Sequence, residues 1–195
     1  MKKTFHSERL TFLPLTAEDI PAIFALHSFD EVAAYNTIGI PKNEAVTRDL
    51  LAQKIDPENN HHLGWVIRNQ NNSFVGEISL IFTADRFKKA EISYSIHPEY
   101  WGKGLATEAV KKVIELGFNT FHLHRIEAGV AVENGKSIRV LEKAGMKREG
   151  RHREILPLKT GWSDNFSYAI LLSDYKLIKQ ILYTSKPFRF KENKQ

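Results

Sequence analysis

Residues 98–109 read PEYWGKGLATEA, two glycines around a lysine, with an aromatic pair before them and good helix formers after. Glycine adopts positive φ freely and leaves no Cβ in the way of an approaching group. Placed between the end of a strand and the start of a helix, Gly102 and Gly104 let successive N–H groups point at one spot. The helix N-terminus adds its unsatisfied donors and the positive end of its dipole. Phosphate fits such a nest. Thr107 falls in the first turn and can add a hydroxyl, while Lys103 can reach the charge or stay in water. A strand, Gly-x-Gly and helix also occur together as a tight turn with no ligand. A P-loop needs Gly-Lys followed by Ser or Thr, and Lys103 is followed by Gly104, which excludes that reading. A dinucleotide fingerprint needs a third glycine or alanine where Thr107 stands, and an acid ending the next strand, whereas Glu127 lies near the start of its strand.

Other residues carry chemistry with less pattern. Asn134 and Ser137 suit the end of a turn and the cap of a following helix. Glu77, Glu91 and Glu154 fall on strands, where a carboxylate serves as a base or simply as a solvated side chain. His61-His62 and the His122/His124 pair lack a third ligand at defined spacing, so no metal site is expected. Trp65 and Trp162 suit a core or the wall of an acceptor pocket. The basic runs Lys147-Arg148 and Arg151-His-Arg153 read as solvated faces, with an acidic peptide or RNA as the alternative partner.

The elements that must position these residues follow from periodicity. SERLTFLPLTAEDI gives a short alternating strand from Leu10 and a capped helix running to about His27. Ala45, Leu50, Leu51 and Ile55 mark a second helix from Asn43 to Ile55. From Gly64 the period shortens to two: strand, Asn-rich turn, strand, a further turn, then AEISYSIH with Ile92, Tyr94 and Ile96 on one face and Pro98 as its stop. A helix from about Leu105 to Asn119, a strand at 125–132, a short helix ended by Gly145, and a hairpin bending at Lys159-Thr-Gly161 complete the order. The helix between strands 90–97 and 125–132 makes them parallel neighbours. One mixed α/β domain over residues 1–180 is predicted, with residues 181–195 a basic tail.

A chain of 195 residues suits a single domain with a proper core. It has no cysteine, which excludes disulfides and thiolate metal sites. No apolar run approaches the roughly 18–20 residues that span a bilayer. MKKTFHSERL is polar where a signal peptide is apolar, so a cytoplasmic protein with no membrane partner is expected. The net charge of +5 suits an acidic partner such as nucleic acid, the ribosome or a phosphorylated cofactor.

Trp101-Gly-Lys-Gly104-Leu-Ala106 resembles the pyrophosphate loop of the GNAT superfamily of acetyl-CoA-dependent N-acetyltransferases, Gln/Arg-x-x-Gly-x-Gly/Ala, with Trp101 replacing the Gln or Arg. HRIEAGVAVENGKSIRVLEKAGMKREG resembles the branch of Rim-type ribosomal-protein acetyltransferases, with Met146 where Phe is usual. The likeness spans most of residues 7–175. It implies a single-domain GNAT fold, a mixed twisted central sheet flanked by helices and splayed between its fourth and fifth strands. It further implies acetyl-CoA as cosubstrate, gripped by Trp101, Gly102, Lys103, Gly104, Leu105, Ala106 and Thr107. The main chain around Ser95, Ile96 and His97 would pair with the pantetheine arm, which Asn134 would also bind. Ser137 would reach the sulfur, since the tyrosine that many members place one turn further on is Leu141 here. Glu91 would be the base, with Glu77 and Glu154 as rivals. The acceptor implied by the branch is a protein or peptide N-terminus, ribosomal proteins and the ribosome included. A small amine such as a polyamine or aminoglycoside is the alternative, and a non-catalytic CoA- or RNA-binding module the rival of another class. Monomer and homodimer are equally compatible with the sequence.

Overall fold

The computed structural model describes residues 3–184. β1 (Phe5–His6) and β2 (Leu10–Pro14) lead into a capped 3-10 turn in which the Asp19 carboxylate accepts from the Thr16 N–H at 3.0 Å, and α1 (Ile20–His27) follows. A single turn, α2 (Asp30–Ala33), precedes α3 (Glu44–Ile55), which starts where the Asn43 side chain accepts from the Val46 N–H at 3.1 Å. The meander β3 (His62–Asn69), β4 (Phe74–Phe82) and β5 (Lys89–Ile96) is antiparallel throughout. Then come α4 (Leu105–Asn119), β6 (Arg125–Ala131), α5 (Gly135–Lys143), the long hairpin β7 (Lys147–Leu158) and β8 (Gly161–Leu171), and α6 (Leu172–Thr184). The eight strands form one mixed sheet in the order β1-β2-β3-β4-β5-β6-β8-β7.

The two faces of the sheet differ. Ile92 and Ile96 of β5, with Ile126, Ala128 and Val130 of β6, join the large core beneath α4, whose stripe of Ala109, Val113, Ile114, Gly117 and Phe118 is buried. Each large apolar side chain so covered is worth about 1.5–3 kcal/mol. On the other face a smaller core of Leu15, Ile20, Ile23, Leu51 and Val66 holds α1 and α3. The hairpin places β7 at an edge, and that strand is mostly exposed, charged and bulged, which suits an unpaired border.

The parallel pairing predicted between residues 90–97 and 125–132 exists over only three rungs, Lys89↔Arg125, Ala90↔Ile126 and Glu91↔Glu127. Beyond them β5 stays with β4 as far as Gly76↔Ile96, and β6 stays with β8 as far as Ala131↔Asn165. The middle of the sheet therefore opens into a V. Because β1 adds a strand at the edge, the strands expected to part as fourth and fifth are β5 and β6. Gly76 is needed beside the opening, since a Cβ there would stand 2.1 Å from the Ser95 carbonyl oxygen.

Two short elements are unforeseen and two expectations change. α2 and β1 are too short to leave a periodic signal. The segment after the hairpin is a helix, α6, that begins directly at the end of β8, with the Leu172 N–H donating to the His124 carbonyl at 3.0 Å. That helix continues to Thr184, inside the predicted basic tail; residues 185–195 lie outside the described residues.

Candidate functional site

The V, the glycine loop and the start of α5 enclose a cleft of about 800 Å³. Tyr94, Ser95 and Ile96 come from β5, Trp101, Gly102 and Gly104 from the loop, Ala106 and Thr107 from α4, and Asn134 and Ser137 from α5 and its cap. Gly102 and Gly104 have φ of 74° and 78°, a region open to glycine and strained for other residues. Gly104 is the N-cap of α4 and has no side chain to cover the first turn. The N–H groups of Leu105, Ala106 and Thr107 thus open the helix without an intrahelical acceptor. Ideal Cβ atoms built on the two glycines meet nothing within 4 Å at Gly102, and only an Arg9 nitrogen, at 3.5 Å, at Gly104. A diphosphate has room beside this backbone. Lys136, Arg139 and Lys143 of α5 line the same cleft and make its outer wall cationic. The Leu105 side chain is buried in the core, so only its main chain can face a ligand.

Arg9 is a feature of the loop that local sequence does not reveal. Its Nη1 donates to the Lys103 carbonyl at 3.0 Å, and its Nε donates to Glu108 Oε2 at 2.7 Å. The Arg9 N–H and the Ser7 hydroxyl both donate to Glu108 Oε1, at 2.8 and 2.7 Å. In a trans peptide the carbonyl and the following N–H point opposite ways. Fixing the Lys103 carbonyl on Arg9 therefore turns the Gly104 N–H away from Arg9. Partial burial pushes the Glu108 carboxyl up, but the hydrogen bonds from Arg9 and Ser7 outweigh it and hold the group below its usual range. Its negative charge, in the first turn of α4, is thereby compensated and does not oppose an incoming anion. The Lys103 ammonium lies 5.3 Å from the centre of the Tyr100 ring.

The main chain of β5 is divided by its ladder. The His97 N–H donates to the Val75 carbonyl at 2.8 Å, and the His97 carbonyl accepts from the Tyr100 N–H at 2.9 Å. This corrects the expectation for His97, whose main-chain groups are both engaged within the protein. Bonded and non-bonded pairs alternate along an antiparallel ladder, so Tyr94 and Ile96 turn their main-chain groups away from β4 and into the V, while Ser95 turns its own toward Glu77 of β4. The Ile96 carbonyl is taken by the Trp101 indole N–H at 2.7 Å, with the Lys136 ammonium 3.9 Å above the indole. Trp101 therefore acts on the strand end rather than on the anion directly, which leaves the Ile96 N–H as the open donor.

Asn134, not Ser137, caps α5. Its side-chain oxygen accepts from the Ser137 N–H at 3.1 Å. The Ser137 hydroxyl, freed from its own helix, meets the Tyr94 hydroxyl at 2.7 Å across the opening. Burial pushes the Tyr94 phenol up to about 12, with the Ser137 hydrogen bond opposing that rise. The sequence placed Tyr94 on the apolar face with Ile92 and Ile96, which it shares, but not this contact.

The candidate bases separate by environment. Glu91 occupies the last paired rung, at the apex of the V, and is exposed. Burial of part of its carboxylate and the nearby Glu127 raise its pKa, against Lys89. Glu77 is buried, with Oε1 2.9 Å from His27 Nε2 and Oε2 3.6 Å from Lys54 Nζ. Burial would raise its carboxyl, but the Lys54 charge and the His27 hydrogen bond lower it to about 2, a poor value for a base. Glu154 lies in a bulge of the edge strand β7, its N–H bound to Asp164 Oδ1 at 2.8 Å, and is not on the cleft wall. Among the described residues no cluster of three or more His, Asp or Glu could hold a metal, and no helix is long and apolar enough to cross a membrane.

Residues 9–147 match the family model described as an acetyltransferase (GNAT) domain. The chain is 33% identical to the uncharacterized N-acetyltransferase YoaA of Bacillus subtilis over 154 residues, 77% of this chain and 86% of that one. A crystal structure of a GNAT-family acetyltransferase from Bacillus anthracis superposes with a TM-score of 0.76 at 30% identity, covering 87% of this chain and 98% of that one. The spermidine N-acetyltransferase of Vibrio cholerae, solved in complex with CoA and spermine, gives a TM-score of 0.79 at 25% identity, over 87% of this chain and 99% of that one. With its parted strands, its open glycine loop and these matches, the chain belongs to the GNAT family of acetyl-CoA-dependent N-acetyltransferases.

Proposed function

We propose that the protein transfers the acetyl group of acetyl-CoA directly to the N-terminal α-amine of a protein, a ribosomal protein being the acceptor its branch resemblance suggests. The observation that carries the transfer is the convergence of open main-chain donors in the loop and first turn, residues 102–107, beside a cleft bounded by unpaired strand edges. The loop would hold the diphosphate, the open edges of β5 and β6 would pair with pantetheine amides, and Asn134 would add its side-chain N–H₂. The Ile96 N–H is the donor placed to accept charge developing on the thioester oxygen.

An α-amine titrates near 7.7–8.0 and a lysine near 10.4, so about one α-amine in ten is neutral at pH 7 against under about one lysine in a thousand. An α-amine acceptor therefore needs only a weak base. Glu91, five residues along an extended strand from Ile96 and so about 16 Å away, is beyond the one-water reach of a direct general base and would serve only at the far end of a chain of waters. The segment bordering the cleft exposes Phe29, Tyr35, Ile38 and Ile40, an apolar rim suited to the side chains of a peptide.

Glu31 and Glu133 on the cleft wall favour a second reading, a polyamine or other small amine, and the spermidine acetyltransferase relative supports it. Mass spectrometry of a peptide and amine panel incubated with labelled acetyl-CoA separates the two. Acetyl on peptide α-nitrogen supports the first, and acetyl confined to spermidine or spermine replaces it with the second. In the same assay Glu91→Gln should lose activity at pH 6.5 and regain it as pH rises, because more acceptor is already neutral. A deficit independent of pH would remove Glu91 as the base.

A further inference from the structure

The position one turn beyond Ser137, where many relatives carry a phenol, is Leu141, and Leu141 is buried in the core and cannot reach the cleft as a donor. A phenol is nevertheless present. Tyr94 rises from β5 on the opposite bank of the V and places its hydroxyl 2.7 Å from Ser137 Oγ, with the Ser137 carbonyl a further 3.5 Å acceptor. Both residues line the cleft. The geometry points to Tyr94 as the positioning residue of the departing thiolate: its O–H donates to Ser137 Oγ, which frees the Ser137 O–H to donate to sulfur.

The inference rests on the acetyl-CoA reading above and assigns the leaving-group end of the same site. The chemistry balances without moving a proton through the pair. The neutral amine nitrogen bonds to the acyl carbon, the C–S bond breaks with its electron pair staying on sulfur, the nitrogen gives up one proton to solvent, and solvent later protonates the thiolate. Tyr94 and Ser137 lower the cost of that sulfur charge through two hydrogen bonds in series, each polarising the next. Handing a proton outright from the phenol to a thiolate would be uphill, since an ordinary thiol titrates near 8.5 and burial pushes the Tyr94 phenol up to about 12. The same property keeps Tyr94 a donor across the working range. Asn134 completes the arrangement: by capping α5 through the Ser137 N–H it orients the residue without using its hydroxyl.

Two measurements test this, and one needs no acceptor. If the pair favours thiolate, bound CoA has a lower thiol pKa than free CoA, so CoA affinity rises with pH between the bound and free values. Other titratable groups line the cleft: Lys136, Arg139 and Lys143 on α5, Glu133 before it, Glu31 on α2, and the phenols of Tyr35 and Tyr100. CoA lacking its sulfur, titrated in parallel by calorimetry from pH 6.5 to 9.5, subtracts their contribution. The expected result is about a ten-fold sulfur-dependent gain in wild type, lost in both Tyr94→Phe and Ser137→Ala. Equal sulfur-dependent slopes in wild type and Tyr94→Phe overturn the proposal. The second measurement is turnover: Tyr94→Phe, which keeps the ring, should lower kcat about ten-fold with KM for acetyl-CoA unchanged, and adding it to Ser137→Ala should lower kcat no further. Additive losses, or a loss in KM alone, overturn it. A sulfur-dependent slope without acetyl transfer to any amine would overturn the transferase reading and leave the Tyr94–Ser137 contact to sulfur standing.

Discussion

The two sides of the cleft are built on opposite principles. Around the glycine loop the protein leaves backbone donors open: a glycine cap offers no side chain, first-turn N–H groups face outward, and Arg9 holds the loop from behind. Around Glu77, across the sheet, the polar groups are closed on one another, with a buried carboxylate between His27 of α1 and Lys54 of α3. One region is organised for a ligand and gains little from itself. The other is organised to hold two helices on the sheet beside the acceptor segment. Substitutions in the first should therefore change affinity with little change in stability, and those in the second should do the reverse.

The largest expected effect is that of Gly104→Glu, which puts a side chain on a left-handed helix cap and a carboxylate on the loop beside Arg9. Acetyl-CoA affinity measured by calorimetry should fall more than about a hundred-fold, since strain at positive φ and charge repulsion act together. Retained micromolar binding would break the loop assignment. Glu77→Gln comes next and should lower unfolding free energy by about 3 kcal/mol in urea, because it removes the buried charge that the His27 ring and the Lys54 ammonium share. The sign with pH is fixed: the folded carboxyl is lowered from 4.5 to about 2, so its stabilisation is present above 4.5 and lost as pH falls toward 2. The variant should show a flatter stability profile in that window, and a profile parallel to wild type would remove Glu77 from the account. The smallest is Arg9→Ala, with about a ten-fold rise in the Kd for CoA, an unchanged KM for the acceptor, and little loss when Lys replaces Arg only if a single bond to the Lys103 carbonyl suffices. An acceptor KM that rises as much as the CoA Kd would show the loop and acceptor sides to be coupled.

What the sequence disclosed was local. The glycine loop, α4 and the meander follow from residue type and spacing within a few turns, and the structure keeps them nearly where periodicity puts them. α6 was hidden because it starts at Leu172, with no Gly, Pro or Asn separating it from β8, so an apolar run changes period without punctuation. The conservative reading of Ser137 as a helix cap competes with its reach to sulfur because Ser and Asn both favour the cap, and only coordinates show that Asn134 takes it. Tyr94 and Ser137 are 43 residues apart, and Arg9 and Glu108 are 99 apart. Contacts at such separation leave no mark in a window of eleven or eighteen residues, which is why the loop was legible and its support was not.

The brevity of the parallel ladder has a mechanical meaning. Three rungs join the sheet's two halves at its centre, while every other neighbouring pair of long strands is tied along most of its length. The centre is thus a seam, and whatever lies in the V acts as its thread. Occupancy should slow amide exchange along both banks, at 92–96 and 128–131, and an empty protein should breathe there before it frays at either rim.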